Sequence, residues 1–246
     1  MDTSAGSPSI VASSARSERT RPSITIAAFA GCVSAAGVME PMVPPLGEQA
    51  EAGVKYPVPA FNPLITASAF WLKQTDGIVY TVVDSVNQQT QLDFRSRGFE
   101  LESNTSLKNG FSLSTGYAYT DTRILKLSAD TVGNEVNGVP KHAFSVWGGY
   151  EAPFEPFRGL GLGAGIRYTG ASYGDDYNRP VIRNSPRTYV DARLSYDFSG
   201  LNPQLKGLTA QVNAQNLLNK IDQVCTASYC YYNQGRKVFA SLRYRW

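Results

Sequence analysis

The residues best placed to do chemistry are two cysteines near the end of the chain. Cys225 and Cys230 lie five positions apart, in the segment CTASYC, between two strand-like runs. We predict that they close a small loop as a disulfide, which requires an oxidising compartment outside the cytoplasm. A metal-binding pair and two free thiols are the alternatives. His142 is the only histidine and does not lie near the cysteines in sequence, so the spacing favours the disulfide.

His142 is also the only imidazole available for acid–base catalysis. No serine-centred glycine motif accompanies it, and no carboxylates are paired on neighbouring strands. The sequence therefore favours a structural role for His142. It predicts a protein that is not an enzyme and that has no metal site and no resident cofactor of its own.

Strands must position these residues, because apolar and polar side chains alternate almost continuously from Glu48 onward. The last strand shows this with a single exception, Phe239. One of its faces is apolar: Val238, Ala240, Leu242, Tyr244 and Trp246. The other is polar: Lys237, Ser241, Arg243 and Arg245. A period of two places these sets on opposite faces of a sheet. Leu242, Tyr244 and Trp246 are typical of the last strand of outer-membrane barrels, which usually ends on an aromatic residue.

The alternation predicts nine strands, most of ten or more residues. They cover residues 48–58, 63–74, 92–104, 111–119, 139–152, 160–169, 190–198, 208–215 and 233–246. A soluble sandwich or lipocalin also has one apolar face. Two features favour a membrane: a tilted strand needs about nine to eleven residues to cross a bilayer, and aromatic residues gather at the ends of the apolar stripes, as interfacial girdles do. No run of apolar residues is long enough for a membrane-spanning helix.

The connections between these strands alternate in length. The short ones cover residues 59–62, 105–108, 153–157 and 199–205, and the long ones cover 75–91, 124–138, 174–183 and 218–232. Outer-membrane barrels have short periplasmic turns and long external loops. The lengths therefore predict that Trp246 and the short links lie in the periplasm.

Residues 1–43 lack this pattern and are predicted to be irregular or signal-like. Residues 24–38 are small and apolar and follow three arginines, with a possible cleavage region at 34–36. Residues 29–32 also resemble a lipoprotein cleavage box, and an irregular N-terminus is the alternative. The net charge of +3 forms no basic run, so no nucleic-acid partner is expected.

Residues 44–246 resemble the C-terminal part of the β-barrel of TonB-dependent ferric-siderophore receptors. The matching segments stand in the family's order and spacing. They are EAGVKY at 51–56, FWLKQT at 70–75, RSRGFELE at 95–102, YAYTD at 117–121, VPKH at 139–142, GLGAGIRY at 161–168, YVDA at 189–192, NAQNLLNK at 213–220 and CYY at 230–232.

The resemblance implies an all-β protein whose antiparallel transmembrane barrel is partial. The family's barrels have about 22 strands, whereas about nine or ten are expected here. Members of the family also carry a plug domain and a coupling box that contacts the TonB complex, and neither is found in this sequence. We therefore expect the C-terminal fragment of a receptor.

The implied function is outer-membrane uptake of iron, carried as a ferric-siderophore chelate. The partners would be that siderophore, outer-membrane lipid, the barrel-assembly machinery and, in the intact family, the TonB complex. Aromatic and cationic side chains in the outer loops are the expected ligand contacts: Tyr173, Tyr177, Arg179, Tyr229, Tyr231 and Tyr232. Interfacial packing is the alternative role for each tyrosine. A passive porin and a nonfunctional receptor remnant are the alternative functions.

Overall fold

Strands dominate the computed structural model, which describes residues 9–16, 31–33, 39–41, 43–57, 64–83 and 86–246. The only helices among these residues are three single turns of 3-10 helix. No helix in this part of the chain is long and apolar enough to cross a membrane. The strands are β1 (Ser9–Arg16), β2 (Gly31–Val33), β3 (Met39–Pro41), β4 (Leu46–Pro57), β5 (Leu64–Val83), β6 (Val86–Ser106), β7 (Phe111–Lys126), β8 (His142–Glu151), β9 (Leu160–Thr169), β10 (Ser172–Tyr173), β11 (Arg183–Asn184), β12 (Arg187–Asp197), β13 (Leu208–Gln215), β14 (Gln223–Thr226), β15 (Tyr229–Tyr232) and β16 (Lys237–Tyr244).

Ten of these strands form one antiparallel sheet, in the order β1-β4-β5-β6-β7-β8-β9-β12-β13-β16. Each long strand is hydrogen-bonded to the long strand before it, so the chain runs up and down across the sheet. The prediction of an all-β antiparallel sheet of nine or ten strands is confirmed. The sheet does not close, and within the described residues β1 and β16 each pair on one side only.

The short strands form three separate pairs, β2 with β3, β10 with β11 and β14 with β15. The last two pairs lie within the long connections at one end of the sheet. The four short connections lie at the other end, after β4, β6, β8 and β12. The predicted alternation of short and long connections therefore holds for the long connections after β7, β9 and β13.

The sequence predicts a long connection at residues 75–91, in which 78–84 could form one arm of a loop hairpin, and the structure shows both arms of that hairpin. β5 continues to Val83 and β6 starts at Val86, so this connection is a long hairpin arm that extends the sheet. A register shift between Gln74 and Gly77 marks where the extension begins. Residues 78–83 are rich in β-branched and aromatic types, which favour strands.

The segment predicted to be irregular, residues 1–43, contains strands where it is described. β1 pairs along its whole length with β4 and thereby covers the outer edge of that strand. The proposed cleavage region at 34–36 lies outside the described residues.

Directly paired residues of an antiparallel sheet share a face, and the register shows how the two faces differ. One row across five strands is Leu101, Tyr117, Phe144, Tyr168 and Thr188. A second row on this face is Tyr150, Leu162, Leu194, Val212 and Ala240. The adjacent row on the opposite face is polar or small in four of its five members, Gly149, Gly163, Arg193 and Asn213, with Phe239 as the exception. The apolar face is the one that would meet lipid.

The polar face is not flat, because one indole occupies space left by two glycines. Trp147 on β8 lies opposite Gly165 on β9. A Cβ atom built at the neighbouring Gly163 would lie 2.6 Å from Cζ2 of Trp147. Protein interiors have no spare volume for such an atom, so the ring requires glycine at that position.

We predict that Gly163→Val destabilises the protein by about 1–3 kcal/mol, because the added side chain overpacks the indole of Trp147. Urea unfolding of the folded chain in detergent measures the loss. The matched control is Gly148→Val on the apolar face, where a Cβ atom would have its nearest neighbour, the Ala164 carbonyl oxygen, at 3.9 Å. Equal unfolding midpoints for both variants would contradict this packing role.

Candidate functional site

Three long connections gather at one end of the sheet. We name them loop A (residues 127–141), loop B (residues 170–186) and loop C (residues 216–236), and together the external loops. Loop B contains the strand pair β10–β11 and loop C contains the hairpin β14–β15. All the tyrosines and the arginine that the sequence predicts as ligand contacts lie in loops B and C.

Loops A and B are joined by side-chain amides and a carboxylate. The Asp176 carboxylate accepts hydrogen bonds from the backbone and the side-chain amide of Asn137, at 3.0 and 2.8 Å. The Asn178 side chain accepts from the Glu135 backbone N–H and donates to the Glu135 carbonyl, both at 2.8 Å. The backbone N–H of Gly138 also donates to the Tyr173 carbonyl at 2.7 Å. With the bond from the Asn134 side chain to the Asp176 carbonyl at 3.0 Å, six bonds therefore fix loop A against loop B.

Loop C is attached to loop B through one buried asparagine. The Asn184 side chain accepts from the Cys225 backbone N–H at 2.6 Å and donates to the Cys225 carbonyl at 2.8 Å. It also donates to the Ser172 hydroxyl at 3.0 Å. Only 3% of Asn184 is exposed. Its amide supplies the acceptor and the donor that a neighbouring strand would otherwise offer to the Cys225 backbone.

A disulfide joins Cys225 and Cys230 across the β14–β15 pair. A second attachment lies beside it, where the Ser228 backbone N–H donates to the Gly174 carbonyl at 2.9 Å. Loop C also reaches loop A, because the Asn137 side chain accepts from the Thr226 hydroxyl and from the Ala227 N–H, both at 3.0 Å. The three loops therefore form one connected network.

The sequence positions of Asp121, Asp175 and Asp176 predict solvated loop charges, but the structure gives all three specific partners. Asp175 is 2% exposed and pairs with the backbone N–H and the guanidinium of Arg179. Asp121 is 5% exposed and lies between Arg97 and Arg123, at 3.2 and 3.1 Å. These carboxylates are structural, because each receives charged or backbone donors that offset its burial.

The six predicted ligand contacts differ in how they are held. Tyr229, Tyr231 and Tyr232 follow one another on β15 and are 68%, 54% and 72% exposed. Tyr177 is 55% exposed, and the Arg179 guanidinium lies 6.0 Å from its ring centroid. The pairing of Arg179 with Asp175 positions that cation beside Tyr177.

Tyr173 is half-buried and is brought close to loop C by the Ser228–Gly174 bond next to it. The structure adds a residue that sequence reasoning missed. Arg183 lies with its guanidinium 5.6 Å from the Tyr173 ring centroid, and the two residues are paired on β10 and β11. The signal in the sequence was its position in the same long connection as Tyr173, ten residues further on.

The side chain of His142 takes no part in the external loops, although its backbone carbonyl accepts a hydrogen bond from Gly170 of loop B at 2.7 Å. Its Nδ1 lies 2.9 Å from the Tyr117 hydroxyl, and its ring centroid lies 5.3 Å from that of Tyr119. It therefore belongs to an aromatic cluster at the outer end of the apolar face. Among the described residues, no group of three or more His, Cys, Asp or Glu side chains is arranged to hold a metal ion.

Comparison with known proteins places these features in a family of receptors. The family model described as TonB dependent receptor-like, beta-barrel matches residues 9–217. The chain is 33% identical over 208 residues to the ferrioxamine B receptor of Salmonella typhimurium. That alignment covers 83% of the chain and 28% of the receptor. It is 32% identical over 207 residues to the ferrichrome outer membrane transporter/phage receptor of Escherichia coli, covering 82% and 27%.

Solved structures show the same fold at lower identity. The ferric preacinetobactin receptor of Acinetobacter baumannii matches with a TM-score of 0.65 and 21% identity, over 85% of the chain and 30% of that structure. The siderophore receptor PiuA of the same organism matches with a TM-score of 0.63 and 24% identity, over 82% and 28%. The chain thus spans less than a third of the length of each of these four proteins.

We predict that Asn184→Ala releases loop C from loop B. The change leaves the buried N–H of Cys225 without an acceptor, which costs about 1–3 kcal/mol. Hydrogen–deuterium exchange should therefore accelerate in residues 223–232 while exchange in β12 and β13 stays unchanged. Gln223→Ala, an exposed position on the same hairpin, is the control. Unchanged exchange in loop C of the Asn184 variant would show that the attachment lies elsewhere.

Proposed function

The chain belongs to the TonB-dependent receptor β-barrel family, and on that basis we propose that it supplies wall strands and external loops of a ferric-siderophore uptake receptor. Barrels of this family lie in the outer membrane, so the apolar face described above faces lipid and the polar face lines the lumen. The external loops then lie outside the cell, where an iron chelate would first be met.

The observation that carries this proposal is the display of aromatic side chains on a fixed scaffold. Tyr229, Tyr231 and Tyr232 are more than half exposed on a hairpin closed by a disulfide and attached to loop B. Exposed aromatic rings of this kind are costly unless they meet a partner. A large, partly apolar chelate would cover them, and the guanidinium groups of Arg179 and Arg183 would lie nearby to receive its oxygen atoms.

The ligand class follows from the names of the relatives. Receptors named for ferrioxamine and ferrichrome are 32–33% identical to this chain, so these two ferric siderophores are the first to test. Iron is then the cargo of the site, carried inside the chelate, and the protein needs no cofactor of its own. Energy for release would come from the TonB complex, as in the intact family.

Recognition rather than catalysis is the chemistry that the described residues support. The relatives are receptors and transporters, and His142 is engaged with Tyr117 away from the external loops. We propose that the chain has no enzymatic activity.

A passive porin is the competing function, and one observation is compatible with it. Polar side chains such as Arg193, Asn213 and Gln211 would line a wet lumen in either case. Single-channel recording separates the two, because a porin gives steady open conductance without ligand, whereas a receptor does not. Ligand binding without steady conductance is the result expected here.

We predict that Tyr229→Ala with Tyr231→Ala weakens ferric-siderophore binding about tenfold, since each aromatic contact is worth about 0.5–1.5 kcal/mol. Titration of the refolded chain with ferrioxamine B and ferrichrome, followed by quenching of tryptophan fluorescence, measures the affinity. Radioactive iron uptake in a strain lacking its own receptors tests transport.

Tyr56→Ala is the control for that experiment. Tyr56 is 42% exposed but lies on β4 at the opposite end of the sheet, so its loss should leave binding unchanged. Equal affinities of the double variant and the unmodified chain would exclude the β15 tyrosines as ligand contacts. Absence of binding to either siderophore by the unmodified chain would remove the support for a receptor that functions through this chain alone.

A further inference from the structure

The apolar face changes character abruptly at one height near the external loops. Three successive rows across β4 to β7 show this. The row Ala52, Ala69, Phe99 and Tyr119 is apolar, and the row Ala50, Trp71, Arg97 and Asp121 is mixed. The next row outward is charged throughout: Glu48, Lys73, Arg95 and Arg123. We name the six charged residues of the last two rows the external charged band.

This band marks the outer boundary of the membrane on four adjacent strands. Aromatic rings lie at its inner edge: Trp71 is in the same row as Arg97 and is 37% exposed, and Phe99 is one row further in and is 41% exposed. Aromatic girdles lie at the level of lipid headgroups, so the band stands at headgroup height on the outside of the wall. It faces lipid and not the lumen, because directly paired residues share a face.

The band has an excess of positive charge. It contains four cations, Lys73, Arg95, Arg97 and Arg123, and two carboxylates, Glu48 and Asp121. The Asp121 carboxylate forms ion pairs with both Arg97 and Arg123. Arg123 also forms an ion pair with Glu135 of loop A at 3.5 Å. The two acids of the band therefore offset half of its positive charge.

One guanidinium in the band has an unused donor. The Nε of Arg95 is buried from solvent and has no hydrogen-bond partner. A buried donor without an acceptor costs about 1–3 kcal/mol. The Arg97 guanidinium, next along the same face of β6, leaves 58% of its side chain exposed although one nitrogen contacts Asp121. Both guanidinium groups can therefore donate hydrogen bonds to a further anionic oxygen.

We propose that the external charged band binds the phosphate of an anionic lipid headgroup in the outer leaflet. Phosphate oxygens match the planar fork of arginine and form paired, charge-assisted hydrogen bonds with it. The acyl chains of such a lipid would extend over Phe99 and Leu101, which continue the same face of β6 into the apolar zone. Phosphate and acyl chains thus meet their complementary surfaces on one side of the wall.

The site is distinct from the external loops, since it lies on the lipid-facing side of β4 to β7. Its existence depends on the outer-membrane location of the family and not on the siderophore proposed above. A chain that fails to bind any siderophore would still be expected to bind the lipid.

The test uses the full chain refolded in detergent and native mass spectrometry with two probes of identical acyl chains, phosphatidic acid and phosphatidylcholine. Each cation near a lipid phosphate contributes about 1 kcal/mol, so Arg95→Gln with Arg97→Gln should weaken phosphatidic acid binding about tenfold or more. Lys108→Gln with Lys206→Gln is the control. It removes the same charge from exposed positions in the short connections and should leave binding unchanged.

A salt titration of the unmodified chain keeps the test independent of variant folding. Phosphatidic acid binding should fall as salt rises while phosphatidylcholine binding stays weak. Equal binding of the two lipids, or equal binding by the Arg95/Arg97 variant and the lysine control, would overturn the proposal. So would displacement of the lipid by inorganic phosphate at matched concentration, because the band would then be a site for a free anion.

Discussion

Pairing of backbone amides is the constraint on which the whole architecture depends. The hydrocarbon core offers no water to an unpaired N–H or C=O, and each such group costs several kcal/mol. An up-and-down antiparallel sheet satisfies these groups between chain neighbours, and the register runs without interruption through the apolar zone of every long strand. Irregularities occur only beyond that zone, as between Gln74 and Gly77 and between Asp93 and Phe94. The free edges of β1 and β16 require the same satisfaction from further strands when the sheet lies in lipid.

The same constraint explains why side chains, and not strands, organise the external loops. Outside the membrane water competes for every backbone group, so a loop gains order only from specific partners. Asparagine provides them here, because its amide both donates and accepts, as a backbone unit does. Asn178 and Asn184 each make a reciprocal pair with a backbone segment of another loop. Asn216 and Asn219 adopt left-handed φ values of 51° and 53°, which asparagine tolerates, where β13 turns into loop C.

Sequence alone predicts this molecule well where one strand face meets lipid and poorly elsewhere. Alternation reports the contrast between two faces, so it located β4, β9, β12 and β16 to within a few residues. It predicted the outer halves of β5 and β6 only in part, as one hairpin arm at 78–84, because both faces of that hairpin lie beyond the lipid. The hydrogen bonds between the external loops could not be predicted from the sequence for another reason. These bonds join residues 35 to 90 positions apart, and no local pattern distinguishes Asp176, which binds loop A, from a solvated aspartate.

The rigidity of the loops has a consequence for any ligand that meets them. Ordering a flexible segment on binding costs free energy that is subtracted from affinity. In loop C this ordering is largely complete beforehand, because the Cys225–Cys230 disulfide, the amide of Asn184 and the Ser228–Gly174 bond hold the hairpin from three directions. Yet the rings of Tyr229 and Tyr232 remain more than two-thirds exposed. Scaffold and contact surface are therefore separated in this loop. Polar bonds beneath fix the backbone, and the aromatic surface above is left uncovered for a partner.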